Sequence, residues 1–220
     1  MSDRSGGTAA VSESDASPSA VVPRLAVPLL FLSLLFVGAV PFYVRQPFDA
    51  GESVSDPMWV GGSAFLTAPE TSLYWVIAVP VCIGAVAVYC GWSERRSGIT
   101  SKVRLWLVAS LGSSVLTIVL VQGGLLFYFG NLTIRGLVPL LTLSAAVLVW
   151  GVGLRSLLLT AVGAVAVAAS LVSNLYDVEN LVPREWAFDS RFSLCLNIML
   201  TASVFVVGAV ASWFAERSRR

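Results

Sequence analysis

An all-helical bundle of six membrane spans, with both ends of the chain cytoplasmic, is the fold class this sequence predicts, and three observations predict it. The first concerns the solvent. The 220 residues are 56% apolar and 12% charged, with a mean hydropathy of +0.82, whereas about a quarter of the residues of a soluble domain are charged. The second is length: apolar runs near the roughly 20 residues that cross hydrocarbon recur six times. The third is that charge falls between these runs and never in the middle of one.

Taken in order, residues 1–22 are rich in Ser, Ala and Gly and hold Asp3, Arg4, Glu13 and Asp15. With almost nothing large and apolar to bury, they read as a disordered cytoplasmic tail. The first span is expected over 23–43 and is kept in the mature chain, because no short basic region opens it and Ala39-Val40-Pro41 is a poor cleavage site. A turn-rich, acidic loop follows, with Pro47, Asp49, Gly51, Glu52, Asp56, Pro57 and Pro69. The second span, 71–92, contains Pro80, which removes one helical hydrogen bond and should bend it. The third span is expected over 105–129, after a basic turn that carries Arg95, Arg96, Lys102 and Arg104.

The fourth span, 136–151, and the fifth, 156–173, form a hairpin through the corner Gly151-Val152-Gly153-Leu154-Arg155-Ser156. A polar stretch, Asn174-Leu175-Tyr176-Asp177-Val178-Glu179-Asn180, then breaks the apolar pattern and reads as lying outside hydrocarbon. The sixth span covers 192–214, and 215–220 is a basic tail. The fifth span is so rich in Ala and Gly that it should be the most enclosed, with Ala164 and Ala168 at helix contacts; Ser110 with Ser114 and Gly208 with Ser212 repeat the small-residue spacing. No internal repeat is evident, although two inverted three-span halves are topologically allowed.

Charge sets the orientation. With the N-terminus inside, Arg4, Arg24, Arg95, Arg96, Lys102, Arg104, Arg155, Arg217, Arg219 and Arg220 are cytoplasmic, and only Arg45, Arg135, Arg184 and Arg191 are external. Trp75, Trp92, Trp106, Trp150 and Trp213 all fall at span ends, where an indole suits the headgroup boundary. The 23–214 bundle leaves no room for a separate soluble domain. Basic residues confined to the flanks of apolar runs give no basis for a nucleic-acid partner.

Candidate chemistry is sparse. There is no histidine, and Cys82, Cys90 and Cys195 have no paired or metal-type spacing, so the usual zinc sites and the commonest general base are missing. No catalytic residue, metal ligand or cofactor is assigned. Ionisable groups are absent from the span centres, which disfavours a carrier with a charged relay. The intramembrane polar residues include Gln122 and Asn197, which suit a hydrogen bond between helices or the lining of a path. Outside, Asp177, Glu179, Glu185 and Asp189 form a candidate polar-loop site, since paired carboxylates hold a divalent cation or act as acid and base; an ordinary solvated loop explains them as well. Arg95, Arg96, Lys102 and Arg104 suit contact with anionic lipid or a cytoplasmic partner.

Tyr74-Trp75, the Tyr89–Thr100 run, Arg135-Gly136-Leu137-Val138-Pro139-Leu140, Arg155-Ser156 and above all Asn174–Leu181 resemble a group of actinobacterial multi-pass membrane proteins of unknown function. The likeness covers about Ser72–Trp186. In that group a Glu often precedes the corner Arg, where Leu154 stands here. The resemblance implies a multi-pass protein of the cell membrane and brings no activity with it.

Two function classes are open. One is a non-enzymatic membrane component, a permease-like or accessory subunit of an ATP-driven exporter. It requires a separate cytoplasmic ATPase or other membrane subunit, because the chain has no Gly-x4-Gly-Lys-Ser/Thr loop. The other is a membrane-embedded enzyme or sensor that uses the acidic loop 174–191.

Overall fold

The computed structural model describes residues 24–43, 69–97, 137–176, 178–181 and 193–218, together with Val108, Leu111, Gly112, Val115 and Leu116. Among the described residues there are five α-helices and no strand: α1 (Ala26–Ala39), α2 (Pro69–Ser97), α3 (Val138–Gly153), α4 (Leu157–Leu175) and α5 (Ser193–Arg217). They match five of the six expected apolar segments. The third expected segment lies outside the described residues except for those five isolated positions, all helical, of which Leu111 is wholly buried. The tail 1–22 also lies outside them.

Three helices are long and apolar enough to cross a membrane, at Leu73–Arg96, Leu157–Leu175 and Cys195–Arg217, and two shorter apolar ones cover Ala26–Phe42 and Val138–Gly153. Helix α1 has 14 residues and continues into a 3-10 turn of 4, Val40–Tyr43, so together they reach roughly 29 Å, near the thickness of a hydrocarbon core. Helix α2 runs without a break across Pro80, which faces outward. Helix α5 continues three residues beyond the expected end of the sixth span.

Cross-helix contacts fix the relative directions. Tyr74 Oη donates to the Leu35 carbonyl, so the start of α2 lies beside the end of α1. The Leu25 N–H donates to Glu216 Oε1 (3.0 Å) and Ser33 Oγ to the Ala202 carbonyl (3.3 Å), while Cys195 Sγ donates to the Val40 carbonyl (3.8 Å). Helix α1 is therefore antiparallel to both α2 and α5. The first contact is a helix cap as well, since a carboxylate at the N-terminus of α1 satisfies a free N–H and faces the positive end of the dipole. Where these helices meet, Phe36 stacks on Phe205 (5.4 Å) and meets Trp75 edge-on (6.0 Å).

Helices α3 and α4 form the expected hairpin. At its corner the Ser156 N–H donates to the Gly151 carbonyl and the Arg155 N–H to the Val152 carbonyl, both at 3.0 Å. This is a Schellman ending, which places one residue in the left-handed region and usually uses glycine there. Arg155 occupies that position, at φ 53°, and Ser156 Oγ then caps α4 by accepting from the Leu159 N–H at 3.4 Å. A β-carbon in this conformation costs about 1 kcal/mol. Replacing Arg155 by glycine is expected to raise stability by about that amount, read as a higher thermal midpoint of the purified protein in detergent.

The hairpin packs backbone to backbone. A β-carbon on Gly163 would lie 2.5 Å from Leu148 Cα, and one on Gly151 would lie 2.5 Å from the Thr160 nitrogen. Against α5, a β-carbon on Gly208 would lie 2.8 Å from both γ-methyls of Val162. Glycine permits this approach, which drives helix association in lipid through van der Waals contact. Two expectations need correction. Helix α4 is not the most enclosed: Ala161, Ala164 and Ala168 face outward and only one side of it is buried, whereas most of α3 is buried. The close contacts belong to Gly163 and Gly208, not to Ala164 and Ala168. In addition, Trp75 and Trp150 are wholly buried, while Trp92 and Trp213 are 49% and 41% exposed. Position along a helix gives depth but not the direction a side chain faces, so two of the expected boundary anchors are core residues.

Candidate functional site

The polar side chains buried among α3, α4 and α5 meet along one seam. Ser144, Ser170, Ser173, Asn174, Asn197 and Thr201 are each at 0% exposure. They converge because Ser170, Ser173 and Asn174 follow the three-and-four spacing of one helical face, and Asn197 and Thr201 repeat it on α5. Ser170 Oγ lies 3.0 Å from Ser144 Oγ, 3.5 Å from Thr201 Oγ1 and 3.2 Å from the Leu140 carbonyl, to which it donates. A hydroxyl has one proton and two lone pairs. With that proton on Leu140, Ser170 accepts from Ser144 and Thr201, and one residue joins three helices.

Nearer the end of α4, Ser173 Oγ donates to the Asn197 carbonyl (2.9 Å). Asn174 Oδ1 accepts from the Leu137 N–H (3.1 Å), and Asn174 Nδ2 donates to the carbonyls of Leu137 (3.2 Å) and Ser170 (3.0 Å). Leu137 precedes the first residue of α3, so its N–H has no helical partner, while its carbonyl also accepts from the Leu140 N–H (3.1 Å). Asn174 supplies both a donor and an acceptor to them and clips the start of α3 to the end of α4. The chain then turns through a 3-10 segment, Val178–Leu181, whose Val178 N–H donates to Asn197 Oδ1 at 3.0 Å.

Asn197 is thus a buried hydrogen-bonding residue that anchors the segment after α4. Asn174, read from the sequence as the start of a polar stretch outside hydrocarbon, is instead the buried last turn of α4. The spacing Ser170, Ser173, Asn174 was the signal that could have assigned it. Of the candidate loop carboxylates, Glu179 belongs to the 3-10 turn, and Asp177, Glu185 and Asp189 lie outside the described residues, as does Gln122. One buried donor among the described side chains has no partner, the indole N–H of Trp150; an unmet donor of this kind costs about 1–3 kcal/mol.

The helix directions gather the described basic residues at one end of the bundle. The N-terminus of α1, the C-termini of α2 and α5 and the α3–α4 corner share one end of the bundle, because α4 is antiparallel to both α3 and α5. All basic residues among the described ones, Arg24, Arg95, Arg96, Arg155 and Arg217, are at that end and exposed. The Arg96 guanidinium lies 3.9 Å above the Trp92 ring and that of Arg217 3.9 Å above Trp213, an arrangement that lets the ring face the cation. Lys102 and Arg104 lie outside the described residues. Two acids, Glu94 and Glu216, share this end, and Glu216 is turned inward to Leu25 and to Ser212 Oγ (3.3 Å). No protein-family model matches the chain, and neither does any curated protein or solved structure.

Proposed function

We propose that this chain is a non-enzymatic, six-span component of a bacterial cytoplasmic membrane, of the actinobacterial multi-pass kind that its Asn174–Leu181 segment resembles. In this reading both termini are cytoplasmic and the chain serves as a permease-like or accessory subunit beside a cytoplasmic ATPase. One observation carries the non-enzymatic part. Apart from the Trp150 indole N–H, the described buried polar groups along the seam of α3, α4 and α5 are engaged with one another and with backbone, in bonds that hold helices together. A seam of this kind closes a wall and offers no nucleophile, acid or base to a substrate. The orientation is supported by the gathering of Arg24, Arg95, Arg96, Arg155 and Arg217 at one end.

The test is purification of the tagged full chain from its own membrane in mild detergent. An ATP-hydrolysing subunit is expected to copurify in fixed stoichiometry, and ATPase activity is expected to elute with the complex. In a deletion strain complemented by Asp177→Asn with Glu179→Gln, function should be retained. Loss of complementation by that pair, at normal protein level and with no ATPase in the complex, would replace this reading with the loop-based enzyme or sensor.

A further inference from the structure

We propose that the arginine end of the bundle is a binding rim for the phosphate headgroups of anionic glycerophospholipids, built from four separate helix ends. This rests on the membrane reading above. Arg24 precedes α1, Arg95 and Arg96 close α2, Arg155 forms the α3–α4 corner and Arg217 closes α5. Residues more than a hundred positions apart in sequence thus present guanidinium groups on one rim, each able to give a phosphate two parallel hydrogen bonds.

Two further features select a lipid surface over an acidic protein. Trp92 and Trp213, the rings beneath Arg96 and Arg217, are 49% and 41% exposed, and the helix surface beside them carries exposed apolar groups, Val88 on α2 and Val210 and Phe214 on α5. An amphipathic ring below a cation and above an apolar wall suits the boundary between headgroup and hydrocarbon. A water-borne acidic peptide would have no use for that wall. The second feature is Arg155, which holds a left-handed backbone position that glycine would occupy without strain. A residue kept there at a cost to stability is better explained by what its side chain reaches.

The test uses the full chain in nanodiscs made from equal parts of phosphatidylcholine and phosphatidylglycerol, with retained lipids counted by native mass spectrometry after mild extraction. Phosphatidylglycerol should be retained over phosphatidylcholine, and Arg96→Gln with Arg217→Gln should cut that preference by about fivefold for each charge removed. Arg96→Lys with Arg217→Lys, which keeps the charge, should keep most of it. Arg155→Gly should lower phosphatidylglycerol retention while raising the thermal midpoint, a combination that a purely structural role does not produce. Equal retention of the two lipids, or an unchanged preference in the glutamine pair, would overturn the proposal. So would displacement of the lipid by millimolar inorganic phosphate, which would make the rim a site for free anions, or by polyglutamate, which would assign it to a protein partner. A chain that failed to enter the nanodisc would instead count against the membrane reading itself.

Discussion

Gly163→Ala is expected to destabilise the protein by about 1–3 kcal/mol, and Gly163→Leu to prevent recovery of a folded, monodisperse species. The reason is geometric. The added β-carbon would meet backbone atoms, Leu148 Cα at 2.5 Å and the Leu148 nitrogen at 2.6 Å, and a backbone cannot move aside as the tip of a flexible side chain can. Relief requires α3 and α4 to separate, which loses the dispersion contacts of their crossing and stretches the Ser144–Ser170 bond. Ala164→Leu one residue later adds more volume on the exposed side of α4 and should be nearly silent. Thermal unfolding in detergent, followed by size-exclusion chromatography, separates the two. A stable Gly163→Leu protein would mean that the hairpin does not cross at this glycine.

Asn174→Asp should have the second large effect, about 3 kcal/mol or more, and should exceed that of Asn174→Ala. Alanine removes the clip and leaves the Leu137 N–H without its partner. Aspartate keeps the acceptor but turns the former amide nitrogen into an oxygen facing the Leu137 and Ser170 carbonyls. Three oxygens then crowd one buried position, and the carboxyl must carry either a buried charge or a proton. Asn174→Gln keeps the chemistry but lengthens the arm, and should fall between wild type and alanine. Measured midpoints in any other order would remove Asn174 from the role given to it. Asn197→Ala would free the Val178 N–H from its side-chain partner and should loosen the 3-10 turn before it unfolds the bundle.

The existence and kind of the elements were legible because hydropathy and charge are one-dimensional signals. Runs of Leu, Val and Ala bounded by Arg, Pro and Gly gave five helices to within a few residues, and the Gly151–Ser156 corner was recognisable from its glycines. What was not legible was azimuth. Trp75, Trp150, Ala164 and Ala168 were placed on the right helices and assigned the wrong side, because a nearly uniform apolar helix lacks a polar face to show which way it turns. The same blindness hid the seam. Ser173 and Asn174 stood at the boundary between the apolar run and the polar stretch, and only the positions of α3 and α5 show that they point inward with Ser170.

The contact between Leu25 and Glu216 has a consequence for biosynthesis. The first helix leaves the ribosome about 190 residues ahead of the acid that caps it, so at roughly 5–20 residues per second it waits some ten to forty seconds for its main neighbour. During that interval the face of α1 carrying Leu29, Leu32, Ser33 and Phe36, all buried in the finished bundle, has α2 beside it but not α5. Insertion and assembly are therefore separate events for this chain. The two helix pairs, α1 with α2 and α3 with α4, are joined only when α5, packed against both α1 and α4, arrives.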